Sequence, residues 1–333
     1  MFKKILVSLG VLILCLVGYI VVQYHNLPSM EPYKPFQVAS VSSQDQQGKL
    51  TATFIGTATL LISDGETSIM TDGFFSRQDL FTVLFEDIAP NVPVITGAIK
   101  KANIINLAAV IPIHSHYDHA MDAPEVAKQT GAMLVGSLST ANIGRGWNLP
   151  EKQIKVAKSG ESMQFGKFTV TLVRSKHTPM PKLLEELGGF GKENLEPLTP
   201  PVHYSKYLEG GSYSVHITHP QGSLLIHGST NFNDNALADY PVDTLFLGIA
   251  SLGKQPAEFR ETYYQQTVGL TKASRVIPIH WDDFWQPLGP PLQPIPKLAD
   301  DFDASMAYLM DKSKEDGFKL QWMDVWDKVI LTQ

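Results

Sequence analysis

Val110-Ile111-Pro112-Ile113-His114-Ser115-His116-Tyr117-Asp118-His119 runs from an apolar strand into four metal-ligand side chains packed within six residues. Residues 108–113 form a short apolar run of the type buried on both faces, with Pro112 near its exit, where a ladder N–H is dispensable. In extended backbone His114 and His116 project to one side, and Asp118 and His119 follow as the chain turns toward a helix expected over 123–130. Zinc binds imidazole nitrogen and carboxylate oxygen at about 2.0–2.2 Å in a roughly tetrahedral array, so its ligands converge from one tight turn and from distant segments. The 114–119 segment is such a turn. A single cysteine, Cys15, excludes both a disulfide framework and a paired-thiolate zinc site, leaving ten histidines and the carboxylates as donors.

The first five of these residues recur letter for letter as Val276-Ile277-Pro278-Ile279-His280. Both copies read as apolar strands with a histidine at the carboxyl end, where ligand sites in layered α/β folds gather. Around them the pattern alternates strand and helix. Leu50, Ala52 and Phe54 alternate with threonines, and residues 60–62 and 69–70 flank an Asp64-Gly65 turn as a β-hairpin. Residues 78–87 read as helix, and Phe168, Val170 and Leu172 as a strand. A polar, Gly/Pro-rich stretch over about 178–207 reads as an inserted loop or lid. A second hairpin turns at Pro220-Gln221-Gly222, a strand follows at 245–249, and residues 257–273 read as one helix.

The 333 residues are 44% hydrophobic, enough for a substantial core. A net charge of −6, from 27 basic and 33 acidic residues without a like-charged run, disfavours nucleic acid. Nothing in the pattern points to a protein partner. Lys3 and Lys4 precede an apolar run over 5–22 free of charge, long enough at about 1.5 Å per residue to span a ~30 Å hydrocarbon core. Residues 1–22 are therefore expected to be a transmembrane anchor or an export signal, and 23–47, with Pro28, Pro32 and Pro35, a linker. Residues 48–333 form the domain. The two lysines place that domain outside the cytoplasm, in the periplasm if the cell is bacterial.

The 114–119 segment resembles the HxHxDH signature of the metallo-β-lactamase-fold hydrolases and matches it at every fixed position. The resemblance extends over about 50–331 through Thr71-Asp72-Gly73, His177, Gly228-Ser229-Thr230 and His280. It looks nearest to the branch of the ascorbate-phosphate lactonases and the N-acyl-phosphatidylethanolamine phospholipase D enzymes. It implies a four-layer αββα sandwich with metals in a groove at one edge of the sheets.

Carried over residue by residue, it implies one zinc on His114, His116 and His177 and a second on Asp118, His119 and His280. Asp72 is then the aspartate that holds a ligand imidazole. Ser229 stands where the family usually has an aspartate bridging both metals. Losing that anion leaves one tightly held zinc, a pair bridged only by hydroxide, or rescue by a nearby carboxylate such as Asp234; a weakened second site is expected. The implied function is hydrolysis of an ester, lactone or phosphodiester by metal-bound hydroxide, with Asp118 as the catalytic residue that orients it or takes its proton. The substrate is a small molecule or lipid-like, since apolar residues of the lid lie beside a membrane tether. His203, Tyr204 and Trp281 are candidate walls of its pocket. The alternatives are a metal-binding domain silenced by Ser229 and, third, β-lactam hydrolysis.

Overall fold

Apolar runs bounded by turn residues become two seven-stranded sheets stacked face to face in the computed structural model, which describes residues 2–39, 41–42 and 44–332. Across the first sheet the strands are Lys328–Ile330, Thr51–Phe54, Leu60–Ser63, Ser68–Thr71, Leu107–Ile111, Met133–Gly136 and Ile154–Val156. Pairing is antiparallel as far as Ser68–Thr71 and parallel beyond it. The second sheet runs Lys319–Leu320, Arg275–Ile279, Thr244–Gly248, Gly222–His227, Tyr213–His219, Phe168–Arg174 and Ser162–Phe165. Its parallel half is the first four strands.

Each copy of the repeated pentapeptide lies in the parallel half of its own sheet, so His114 and His280 leave facing sheets at one edge of the sandwich. One continuous cluster of buried side chains, including Phe54, Val110, Leu172, Ile226 and Ile277, fills the space between the sheets. Helices Ala123–Thr130 and Leu138–Gly146 cover the first sheet, with Val92–Lys101 beside them. On the second sheet, Ala257–Tyr264 continues through a π-helical turn at Gln265–Gly269, and its Tyr263 hydroxyl donates to the Gly248 carbonyl at 2.7 Å. Phe302–Asp316 packs beside Lys319–Leu320. The order is helix, sheet, sheet, helix, the architecture that the resemblance implies.

Two expectations need correction. Residues 31–38 are not a free linker: Glu31–Phe36 is a 3-10 helix whose buried Tyr33 donates to Asp303 at 2.7 Å, and Val38 N donates to Trp322 O at 3.0 Å. The inserted segment is not all loop, because Lys182–Gly188 is helical. The apolar amino-terminal run forms the helix Phe2–His25, none of whose Ser8–His25 portion is buried.

Candidate metal centre

Strand Leu107–Ile111 delivers His114, and the one-turn helix Tyr117–Ala120 swings Asp118 and His119 behind it. His177 follows strand Phe168–Arg174, and His280 ends strand Arg275–Ile279 with its backbone in the left-handed region, φ +55°. The side chains assemble as two groups, His114–His116–His177 and Asp118–His119–His280, each with its donor atoms within 4.8 Å of one another. In the first group the three rings lie 4.7–4.8 Å apart, centroid to centroid. The His114 and His119 rings, 3.9 Å apart, join the groups.

Three observations show that the donors suit a divalent cation. His119 Nε2, His280 Nε2 and Asp118 Oδ2 are separated by 3.1, 3.4 and 3.5 Å. Ligands about 2.0–2.1 Å from one tetrahedral metal lie about 3.3 Å apart, so this triangle is the right size. Next, two buried nitrogens that face the first group are left without partners: His114 Nε2 and His116 Nε2. A buried polar atom with no partner costs about 1–3 kcal/mol, and a metal removes that cost. Finally, the second nitrogens of His119 and His177 are already engaged. His119 Nδ1 lies 2.7 Å from Asp72 Oδ2, which can only accept, so Nε2 faces the centre. His177 Nδ1 donates to Thr178 O at 3.0 Å.

Electrostatics agree. Burial drives His114 well below the ordinary imidazole value and His116 down to about 3, so both are neutral, lone-pair donors near neutral pH. Burial would raise Asp118, but His119 and His280 hold its carboxyl well below the usual range. Burial would likewise lower His119, yet Asp72 and Asp118 hold it above its ordinary value. The same negative potential favours a dication.

Asp72 sits where the resemblance puts it, with φ +53° and its second oxygen accepting from Ile113 N at 2.9 Å. Ser229 Oγ lies 3.4 Å from His114 Nδ1, and neither metal-binding group includes a carboxylate at that position. Asp234 is exposed and belongs to neither group. The three candidate pocket walls are corrected. Trp281 is 1% exposed and packs on Phe54, Phe302 and Trp322 in the core. His203 is held by Leu84 O and Ser205, and Tyr204 packs on Tyr117, outside the groove.

A groove of about 700 Å³ opens onto both groups, walled by Met180, Leu184, Phe284, Trp285, Ile295 and Leu298. Supporting residues that the sequence reading did not single out lie one layer back. Asn231 donates to His177 O at 2.6 Å, and its own carbonyl accepts from the buried His227 at 2.7 Å. The Arg77–Asp282 pair clamps the loop that carries His280. Asn231 is 54 residues from His177 and Arg77 is 205 from Asp282, and no motif links them.

No protein-family model matches the chain. A UPF0173 metal-dependent hydrolase of Heliobacterium modesticaldum is 31% identical over 93 residues, 28% of this chain and 32% of that one. One of Methylocella silvestris is 26% identical over 204 residues, 61% of this chain and 78% of that one. One of Myxococcus xanthus is 30% identical over 185 residues, 54% and 57%. The chain thus spans from about a third to three quarters of the length of these relatives. Among solved structures, the isothiocyanate hydrolase from Delia radicum gut bacteria superposes with TM-score 0.51 at 12% identity, over 85% of this chain and all of that one. CmlA, a diiron β-hydroxylase from Streptomyces venezuelae, superposes with TM-score 0.51 at 14% identity, over 86% and 54%. The chain shares its fold with these two structures, the layered architecture that the resemblance to metallo-β-lactamase-fold hydrolases implies, and the relatives it matches in sequence are metal-dependent hydrolases. Those distant superpositions speak for the shared fold alone. Within the metallo-β-lactamase fold, the six donors of this chain stand at the sheet edge where its two parallel halves meet.

Proposed function

We propose that this protein is a membrane-anchored, zinc-dependent hydrolase of an ester, lactone or phosphodiester with an apolar portion. The observation that carries the reading is the pair of three-donor groups at the floor of an apolar groove. A zinc held there supplies Lewis acidity toward the scissile carbonyl or phosphoryl oxygen and toward water. The residues do the remainder. His114, His116 and His177 hold one cation, and Asp118, His119 and His280 a weaker second. Asp118 orients the attacking water, and Asp72 fixes the tautomer of His119. Met180, Leu184, Ile295 and Leu298 exclude bulk water and hold the apolar part of the substrate.

The anchor is the unburied apolar portion Ser8–His25 of helix Phe2–His25. Its Tyr24 lies near Asp283 and Gln286, beside the groove residues Phe284 and Trp285, so the groove opens next to the anchor. The domain then faces outward from the cytoplasm. Ser229 favours one alternative, a domain that keeps metal but turns over little.

The test is metal content and turnover of the full chain in nanodiscs, stripped with chelator and reloaded with zinc, manganese or iron. Chromogenic phosphodiesters, esters, lactones and a cephalosporin form the substrate panel. At least one metal per chain and turnover abolished by His116→Ala are expected. Less than one metal per chain, or full activity in His116→Ala, overturns the reading. Retained metal with no turnover selects the silent-domain alternative.

A further inference from the structure

One donor of the metal centre, His177, is reached from two sides, and the sides differ in character. The apolar groove described above reaches His177, Thr178 and Pro179 from one direction. A second groove, about 990 Å³, reaches the same three residues from the other. Its walls carry charges of both signs: Arg174, Lys176 and Lys192 against Glu185, Glu186, Glu193 and the buried Glu209. The partition between the grooves is the lid segment. Helix Lys182–Gly188 turns Leu184 into the apolar groove and Glu185 and Glu186 into the charged one. Phe190 closes the partition, its ring 4.3 Å from that of His177 and 5.0 Å from that of His116.

We infer that the charged groove is a second subsite of the same centre, taking a zwitterionic polar headgroup while the apolar groove takes the hydrocarbon part of one amphiphile. This rests on the hydrolase reading and narrows its substrate class. A groove lined by one sign of charge would select the opposite ion; this one presents both within a single cleft, which suits a ligand carrying both. The bond to be cut then lies over His177, where the grooves meet. In the reaction water adds across that bond: its oxygen goes to the acyl or phosphoryl atom, and a proton goes to the departing alcohol oxygen. One product leaves by each side. Phe190 is the residue that separates the two chemistries.

Binding to the metal-free full chain, in nanodiscs of ether-linked lipid, tests this without requiring turnover. The probes share an octyl chain and differ in the head: octylphosphocholine, octyltrimethylammonium, octyl phosphate and octanol. Octylphosphocholine is expected to bind most tightly. Lys192→Glu should weaken it about fivefold, the scale of one exposed charge pair, and leave octanol within twofold. Leu184→Glu should weaken all four alike, and shortening the chain should cost about fourfold per methylene. Equal affinities for the four heads, or octylphosphocholine binding unchanged in Lys192→Glu, overturns the second subsite. Neither result touches metal content or turnover, so the hydrolase reading fails or stands separately.

Discussion

At the scale of single residues, the site depends on a clamp that touches no metal ligand through its own side chains. His280 N donates to Thr57 O, and Thr57 N donates to Asp282 Oδ1, both at 2.7 Å. His280 and Thr57 both have positive φ, +55° and +52°, so each bond holds a backbone that would otherwise relax. Arg77 Nη2 completes the clamp 2.6 Å from Asp282 Oδ2, with both side chains essentially inaccessible. Gly56 makes room for it: at φ +90°, an added Cβ would stand 2.1 Å from Arg77 Nη2. Removing one partner of a buried pair strands the other charge, at a cost of about 3–5 kcal/mol. Arg77→Met should therefore lower unfolding stability by about that amount and release His280. The double variant Arg77→Met/Asp282→Asn should recover part of the loss. Denaturant unfolding of the three proteins measures it, and a loss below about 1 kcal/mol in Arg77→Met rejects the clamp.

At the scale of elements, the amino-terminal segment divides in two. Helix Phe2–His25 is unburied over Ser8–His25, whereas residues 31–38 are fastened to the domain by Tyr33, Val38 and a bridge from Gln37 to Trp322. The Trp322 indole also donates to the Tyr33 carbonyl. Deleting residues 2–28 should leave the melting temperature nearly unchanged. Extending the deletion through 38 removes one buried aromatic and several hydrogen bonds, about 3 kcal/mol, and should lower it by roughly 5 °C. Calorimetry of the two truncations decides; equal melting temperatures would return residues 31–38 to the status of a tether.

The same segment shows where the sequence stops being legible. Its docking depends on Trp322, almost 290 residues away, and no local pattern carries that. Helix Val92–Lys101 hides behind β-branched residues and a proline, although Asn91 caps it at 3.3 Å. Leu138–Gly146 hides behind Gly144 and Gly146, which sit where Leu134 and Leu198 press on the helix. Adjacency to His280 does not bring Trp281 into the groove, because successive residues at a strand end point opposite ways, and Trp281 enters the core. What was legible, the strands and the 114–119 turn, rests on short-range alternation and ligand spacing.

At the scale of the whole molecule, acid groups that burial keeps protonated should tilt the pH dependence of folding. Asp300 is the clearest. Its carboxyl accepts from the backbone of Asp301, at 2.6 Å, and of Ser251, but Oδ2 is buried without a partner. Burial pushes its pKa up to about 7. An unfolded chain releases the same proton near 3.9, so between pH 4 and pH 7 the folded state holds a proton that the unfolded state has lost. Stability then falls as pH rises across this window, by at most ~1.4 kcal/mol per pH unit, and levels off above pH 7. Buried Asp122, pushed up to about 6, adds a slope of the same sign over pH 4 to 6. Asp300→Asn keeps the shape and removes the ionisation. The variant should match the parent near pH 4 and exceed it by up to about 4 kcal/mol at pH 8, several degrees in melting temperature. Unfolding of the metal-free pair at pH 4.5, 6 and 8 reads this directly, and a stability difference that stays constant with pH would show that Asp300 folds as a carboxylate.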